Sequence, residues 1–320
     1  MNKSPHIYVH ADDYGMTPAT CRRIRDCWEN GCLNRVSIVP NGCMEYAFQC
    51  MKNADIPCAI HINLVEGKGL MPADQINLLA GPDGYMKNSF FGLLMLSISS
   101  KRKQLEKQLY LEIREQIFSA MEYLQDGEDI FLDSHQHTHM IPVIFHTILK
   151  VVEDYKIPVR FMRIPAEPIL PFLLEPSLYL TYKPINLIKN RVLNFLWIFD
   201  RKAFRKSGIQ SALFCGIFFS GNMDEKRVMK IFPYFYRKAK KRGCDLEFLF
   251  HTGYIKQGEK FFDPNKKSFH QFYLSQGRKN ENTTLHSKKW CELVKNMNGE
   301  TDSNKTSIIN STIRIEKETV

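Results

Sequence analysis

The stretch HIYVHADDYGMTPATCRRIRDCWENG, residues 6–31, decides the fold class. Residues 6–10 form a short β-rich run, and residues 17–30 follow as a helix that Thr17 caps, Pro18 opens and Gly31 stops. Between them lie two adjacent carboxylates, Asp12 and Asp13. The unit is β then α, and the chain repeats the rhythm. Further strands are predicted over 35–39, 58–64, 130–134, 159–164, 213–219 and 246–251, and helices over 104–124, 143–155, 225–242 and 285–296. Such alternation implies an α/β protein with a mainly parallel sheet, open or closed into a barrel.

The 320 residues suit one large α/β domain or two ordinary ones. With 44% apolar, 24% charged and 12% aromatic residues, the composition excludes collagen-like, coiled-coil and wholly disordered chains. The net charge of +10 raises the question of a polyanionic partner. That charge is local. Residues 168–207 hold seven basic against two acidic residues, and residues 225–242 hold eight against one, so the rest of the chain is slightly acidic. The run Lys238-Ala239-Lys240-Lys241-Arg242 is the main argument for a nucleic-acid-binding protein. No binding motif accompanies it, and its helical spacing reads as a solvated face, so no nucleic-acid partner is expected.

Two segments break the rhythm of the expected domain, residues 1–297. Residues 67–100, with Pro72, Gly81-Pro82 and Asp83-Gly84, read as a long loop or lid. Residues 168–207 read as an inserted basic amphipathic helical region. One reading of this insertion is contact with an anionic membrane surface, presenting a lipid-linked sugar; a packed subdomain or a homodimer contact are the others. Residues 298–320 form a polar tail expected to be mobile. The N-terminus lacks the apolar core of a secretory signal, and the apolar runs 90–98 and 212–220 are far shorter than the roughly 20 residues that cross a bilayer. Nine cysteines, with no C-x-x-C pair, are expected to be reduced and mostly buried in a cytoplasmic chain, which the basic segment would at most bring to the inner membrane surface.

Acidic and imidazole side chains cluster at the ends of the predicted strands, where parallel α/β folds build their sites. Asp12 and Asp13 follow the first, His61 lies in the third, Asp133-Ser134-His135-Gln136-His137-Thr138-His139 closes the fourth, and His251 closes the last. Successive extended residues point in different directions, so one Asp can bind a metal ion while the other addresses the attacking water. If extended, His135, His137 and His139 share one face and bring one or two imidazoles to a divalent cation, with Asp133 behind them. An Asp/His/His set suits Zn²⁺, and also Mg²⁺ or another divalent ion if waters complete the shell. His251 is a candidate proton donor, and Arg163 a candidate to hold Asp12 charged or to bind substrate. The same residues leave open phosphoester or other amide hydrolysis.

The segments His10-Ala11-Asp12-Asp13-Tyr14-Gly15-Met16, Ile60-His61-Ile62-Asn63-Leu64, Asp133 to Met140, Arg163-Ile164-Pro165-Ala166-Glu167 and Phe250-His251-Thr252-Gly253-Tyr254 together resemble the YdjC-like carbohydrate deacetylases, among them chitooligosaccharide and hopanoid-biosynthesis deacetylases. Arg278-Lys279-Asn280-Glu281 extends the match more loosely. The resemblance implies a single distorted, TIM-barrel-like (β/α) barrel that removes acetyl groups from N-acetylated sugars with one bound divalent ion, Mg²⁺ or Zn²⁺. By the family pattern Asp13, His61 and His135 are the ligands, Asp12 the base and His251 the acid. Arg163, Asp133, His137, His139 and Asn63 are expected to bind substrate or support the ligands. Tyr14 stands where Phe is common, and residues 168–207 are longer and more basic than in relatives.

Overall fold

The computed structural model describes residues 4–52, 56–124 and 129–299; most of the 298–320 tail lies outside them. Seven strands run in parallel: β1 Ile7–Tyr14, β2 Arg35–Ile38, β3 Cys58–Ile62, β4 Ile130–Ser134, β5 Val159–Met162, β6 Leu213–Cys215 and β7 Leu246–Phe250. Around them lie α1 Pro18–Glu29, α2 Met44–Met51, α3 Phe90–Ser97, α4 Arg102–Met121, α5 Pro142–Asp154, α6 Leu170–Leu173, α7 Pro184–Ser207, α8 Glu225–Arg242, α9 Lys267–Tyr273, α10 Gln276–Leu285 and α11 Lys288–Asn298.

The strand order is β5-β4-β3-β2-β1-β7-β6. Its two edges meet through one residue. Gln210, just ahead of β6, donates its N–H to the Arg160 carbonyl and accepts from Met162 N, both at 2.9 Å, so the sheet curls back on itself. The strands are almost wholly buried, as expected for parallel strands covered by helices.

Local chemistry sets the helix ends. Thr17 accepts from Thr20 N while the Thr20 hydroxyl accepts from Thr17 N, a reciprocal cap on α1 that Pro18 follows without losing a needed donor. Asp224 caps α8, and Gly243, at φ 64°, ends it. Val228, Ile231, Phe232, Phe235 and Ala239 turn α8 toward the core, which leaves its basic residues outward. The 67–100 segment contains a helix, α3, and buries Ile76, Leu79 and Met86. Residues 168–207 are helical over most of their length, in α6 and α7 with a 3-10 turn between. None of the nine cysteines is in a disulfide. Among the described residues no helix is long and apolar enough to cross a membrane.

Candidate active site

Parallel strands all present their C-terminal ends on one side, and that side gathers Asp12 and Asp13 from β1, His61 from β3, Asp133 from β4, Arg163 just after β5 and His251 just after β7. In a regular strand Asp12 and Asp13 would point to opposite faces. Here the β1–β2 register shifts between Ala11 and Tyr14, and Asp13 adopts φ 72°. The irregularity turns both carboxylates to the same point: His61 Nε2 lies 3.8 Å from Asp12 Oδ2 and 3.8 Å from Asp13 Oδ1. A positive φ at a non-glycine residue is costly, and it is held here by Arg278, whose Nη2 donates to Asp13 Oδ2 at 2.6 Å. Burial raises the pKa of Asp13, but the Arg278 and His135 charges carry it well below the usual carboxylate range.

Behind the carboxylates lies a buried network centred on Arg163. Its Nη1 donates to both oxygens of Asp12 at 2.9 Å and lies 2.9 Å from Asp133 Oδ2; its Nε donates to Glu247 Oε1 at 2.8 Å. Burial alone would lower the Arg163 pKa, and the three carboxylates reverse that and raise it. In return Arg163 outweighs burial at Asp133, held well below the usual range, and at Glu247, brought down to about 2. His61 Nδ1 hydrogen-bonds Asp133 Oδ1 at 2.5 Å. A carboxylate can only accept, so the neutral ring carries its proton on Nδ1 and keeps its lone pair on Nε2.

Among the described residues two clusters have the donor set for a cation, and they differ. Asp13, His61 and His135 each offer one atom within 4.8 Å of the others. Asp13 Oδ1 and His61 Nε2 are buried with no hydrogen-bond partner, and His135 Nδ1 stands 3.0 Å from Asp13 Oδ1. That set could hold a divalent ion. The second cluster, His10, Asp12 and Asp133, already holds the Arg163 guanidinium between its carboxylates and does not fit a metal.

The His135–His139 run corrects an expectation. It is a 3-10 turn rather than an extended strand, with Gln136 at φ 53° and His137 at φ 57°, so its histidines do not share a face. His135 turns to Asp13 and to Glu66, whose Oε2 is 3.2 Å from its Nε2. Burial lowers its pKa, but these two carboxylates more than compensate and raise it to about 10. His137 faces the cavity and packs edge-on against Phe214. His139 has both ring nitrogens engaged: Nδ1 accepts from Ser134 Oγ at 2.6 Å and Nε2 donates to the Arg163 carbonyl at 2.8 Å. Burial lowers its pKa to about 4. Asn63 is likewise engaged within its own turn, accepting from Val65 N and Glu66 N and donating to the Glu66 carbonyl. That turn brings Glu66 to His135.

A cavity of about 460 Å³ opens onto this centre, lined by Asp12, His135, His137, His251 and Arg278, and by Phe90 and Lys189 among others. His251 is held at its backbone, where its N–H donates to Glu281; its Nδ1 lies 3.7 Å from Glu281 Oε2 and has no hydrogen bond. Sequence reading missed Glu66, Glu247 and Tyr273, which donates to Glu66 Oε2 at 2.5 Å. A lone acid in the apolar run Leu246–Phe250 was the available signal for Glu247.

Fold and site define an α/β protein with a buried carboxylate–imidazole centre at the C-terminal edge of a parallel sheet. The YdjC-like protein family model matches residues 6–296, and the chain belongs to that family. A carbohydrate deacetylase from Thermoanaerobacter pseudethanolicus is 29% identical over 170 residues, covering 52% of this chain and 64% of the relative. One from Mus musculus is 30% identical over 168 residues, 50% of this chain and 51% of the relative. A chitooligosaccharide deacetylase from Proteus mirabilis is 22% identical over 163 residues, 50% and 60%. The chain thus spans less than two thirds of the length of these relatives. A crystal structure from Enterococcus faecalis, described provisionally as a cellobiose-phosphate cleavage protein, superposes with a TM-score of 0.63 over 92% of this chain and 96% of that one. At 15% identity that likeness is one of fold.

Proposed function

We propose that this protein is a metal-dependent hydrolase that removes the acetyl group from an N-acetylated sugar, either an oligosaccharide or a glycolipid. The observation that carries this reading is the convergence of Asp12, Asp13 and His61 on one point beside the cavity, with the two carboxylates held by different guanidiniums. The curled sheet with its Gln210 bridge supports a distorted (β/α) barrel as the scaffold, and nine cysteines held as reduced thiols support a cytoplasmic location.

Asp13, His61 and His135 would hold the ion, Zn²⁺ or Mg²⁺ by the nature of the donors. When bound, it supplies Lewis-acid polarisation of the amide carbonyl and a lowered pKa for water. Asp12 accepts the proton of the attacking water. Its hydrogen bonds from Arg163 fix its orientation, and it lines the cavity in which the substrate would sit. His251, at the end of the neighbouring strand β7, donates a proton to the departing amine, with Glu281 Oε2 3.7 Å from its Nδ1. His137 and the aromatic wall orient the sugar. The cavity volume falls within the roughly 300–1,000 Å³ of small-ligand sites.

A phosphoester substrate fits less well. Both buried guanidiniums at the centre, Arg163 and Arg278, are already paired with carboxylates, and a phosphate dianion would meet Asp12, Asp13 and Glu66. The test is acetate release from a panel of N-acetylated oligosaccharides and glycolipids by protein reconstituted with Zn²⁺ or Mg²⁺ and by chelator-treated protein. Metal-loaded protein that releases no acetate from any of them would overturn the reading.

A further inference from the structure

The helix α7 is inverted. Its inward face carries Asn186, Asn190 and Asp200 beside Leu193 and Leu196, while Ile185, Ile188, Phe195, Ile198 and Phe199 face outward. The inward asparagines have a local cause. Asn186 donates to the Phe218 carbonyl, and Asn190 and Asn194 donate to the Glu167 carbonyl, which pins α7 across the loops that follow β5 and β6. The outward apolar stripe, spaced 185, 188, 195 and 199, has no such explanation within the fold.

The stripe does not stand alone. Phe91, Met95 and Ile98 on and just after α3 are 56%, 62% and 71% exposed, and Leu180, ahead of α7, is fully exposed. Phe90 and Phe91 of α3 and Ile185 and Lys189 of α7 all line the catalytic cavity, so that cavity opens between these apolar surfaces. Soluble monomers rarely expose contiguous apolar patches beyond a few hundred Å². Charge identifies what covers this one. Lys183, Lys189, Arg191, Arg201, Lys202, Arg205 and Lys206 are exposed, as are Lys101, Arg102 and Lys103 after α3. The acid on α7, Asp200, is buried. A second copy laid on this face would bring like charges together. An anionic lipid surface complements both its apolar and its basic residues.

We propose that the α3–α7 face seats the protein on an anionic bilayer, with the mouth of the cavity against the lipid, so that its substrate is an acetamido sugar carried on a lipid. The substrate part rests on the deacetylase reading; the docking part does not. Phe195, Ile198 and Phe199 enter the acyl boundary while the basic residues meet lipid phosphates. The depth is that of an interfacial helix, about 5–10 Å, rather than a span.

Co-sedimentation of the full chain with phosphatidylcholine vesicles, with and without phosphatidylglycerol, tests the docking. Binding is expected with phosphatidylglycerol, weakened by salt. It should fall by at least tenfold in Phe195→Ser/Ile198→Ser/Phe199→Ser, and by roughly fivefold per charge removed in Lys202→Glu/Arg205→Glu. None of these residues lines the cavity, so turnover of a water-soluble acetamido sugar should be unchanged, while turnover of a vesicle-borne acetamido glycolipid should fall with binding. Absence of vesicle binding, or binding indifferent to both variants, overturns the proposal. So does a dimer that the triple serine variant dissociates while vesicles are ignored. Variant-sensitive vesicle binding with no acetate from either sugar supports the docking and refutes the deacetylase reading, and the lipid-linked substrate with it.

Discussion

Arg163 Nη1 donates to both carboxylate oxygens of Asp12 at 2.9 Å, with the guanidinium buried and also engaged by Asp133 and Glu247. One cation therefore stabilises three buried carboxylates and sets the direction of the one that faces the cavity. Arg163→Met removes it and leaves those charges unpaired. Loss of one partner from a buried ionic network costs about 3–5 kcal/mol, and urea unfolding should register a loss of that size. Arg163→Lys restores a charge but not the fork, and should recover only part of it. A Met variant as stable as the parent would contradict the network.

If the proposed mechanism holds, Asp12→Asn separates proton transfer from metal binding. Asn cannot accept the water's proton, while Asp13, His61 and His135 are untouched, so bound metal should be retained and kcat should fall by about 10²–10⁴. Metal analysis alongside acetate release checks both halves. Near-normal kcat would remove Asp12 from the role of base.

On the proposed metal reading, Asp133 would act on the ion at one remove. It orients His61 through a 2.5 Å hydrogen bond and accepts from Ser37 Oγ at 2.5 Å. Asp133→Asn weakens that hold and presents an amide N–H₂ group to Ser37 or Arg163. Losses of about 10–100-fold in metal affinity are typical when such a supporting partner is changed. Competitive chelator titration should find a loss in that range, and His61→Ala should lose more.

Much of this arrangement was legible in the sequence because the strands are short apolar runs that end in polar residues. All seven strand positions, and the gathering of Asp12, Asp13, His61, Asp133, His135, Arg163 and His251, follow from that pattern. What it hid was geometry that side-chain type does not encode. β1 runs on to Tyr14 through two buried carboxylates because a register shift and a left-handed Asp13 give both a use. The alternating histidines suggested an extended segment, yet Gln136 and His137 turn left-handed and send each ring elsewhere. The almost wholly apolar α3 shows no amphipathic period within a segment rich in turn residues. Glu66, in the turn after β3, and Tyr273, the last residue of α9, meet beside His135 from distant parts of the chain, so neighbouring sequence carries no sign of either.

Asp200 gives the pH dependence of stability a testable sign. It is buried under α7, neither carboxylate oxygen has a hydrogen bond, and the nearest basic atom is His146 Nε2 at 3.6 Å. Burial raises its pKa from 3.8 to about 7. The folded state therefore binds a proton that the unfolded chain releases at lower pH. The stability this group contributes is fully present below about pH 4 and is lost as the pH rises toward 7 and through it. At about 1.4 kcal/mol for each pH unit between the two values, the loss amounts to at most a few kcal/mol. Asp200→Asn has nearly the same shape and no charge to bury. Its stability relative to the parent should be lowest near pH 4, rise through the window and level off above pH 7. Urea unfolding at pH 5 and pH 8 should therefore show the variant gaining on the parent at the higher pH. Parallel pH profiles for the two proteins would mean that the Asp200 carboxyl is stabilised in its charged form after all.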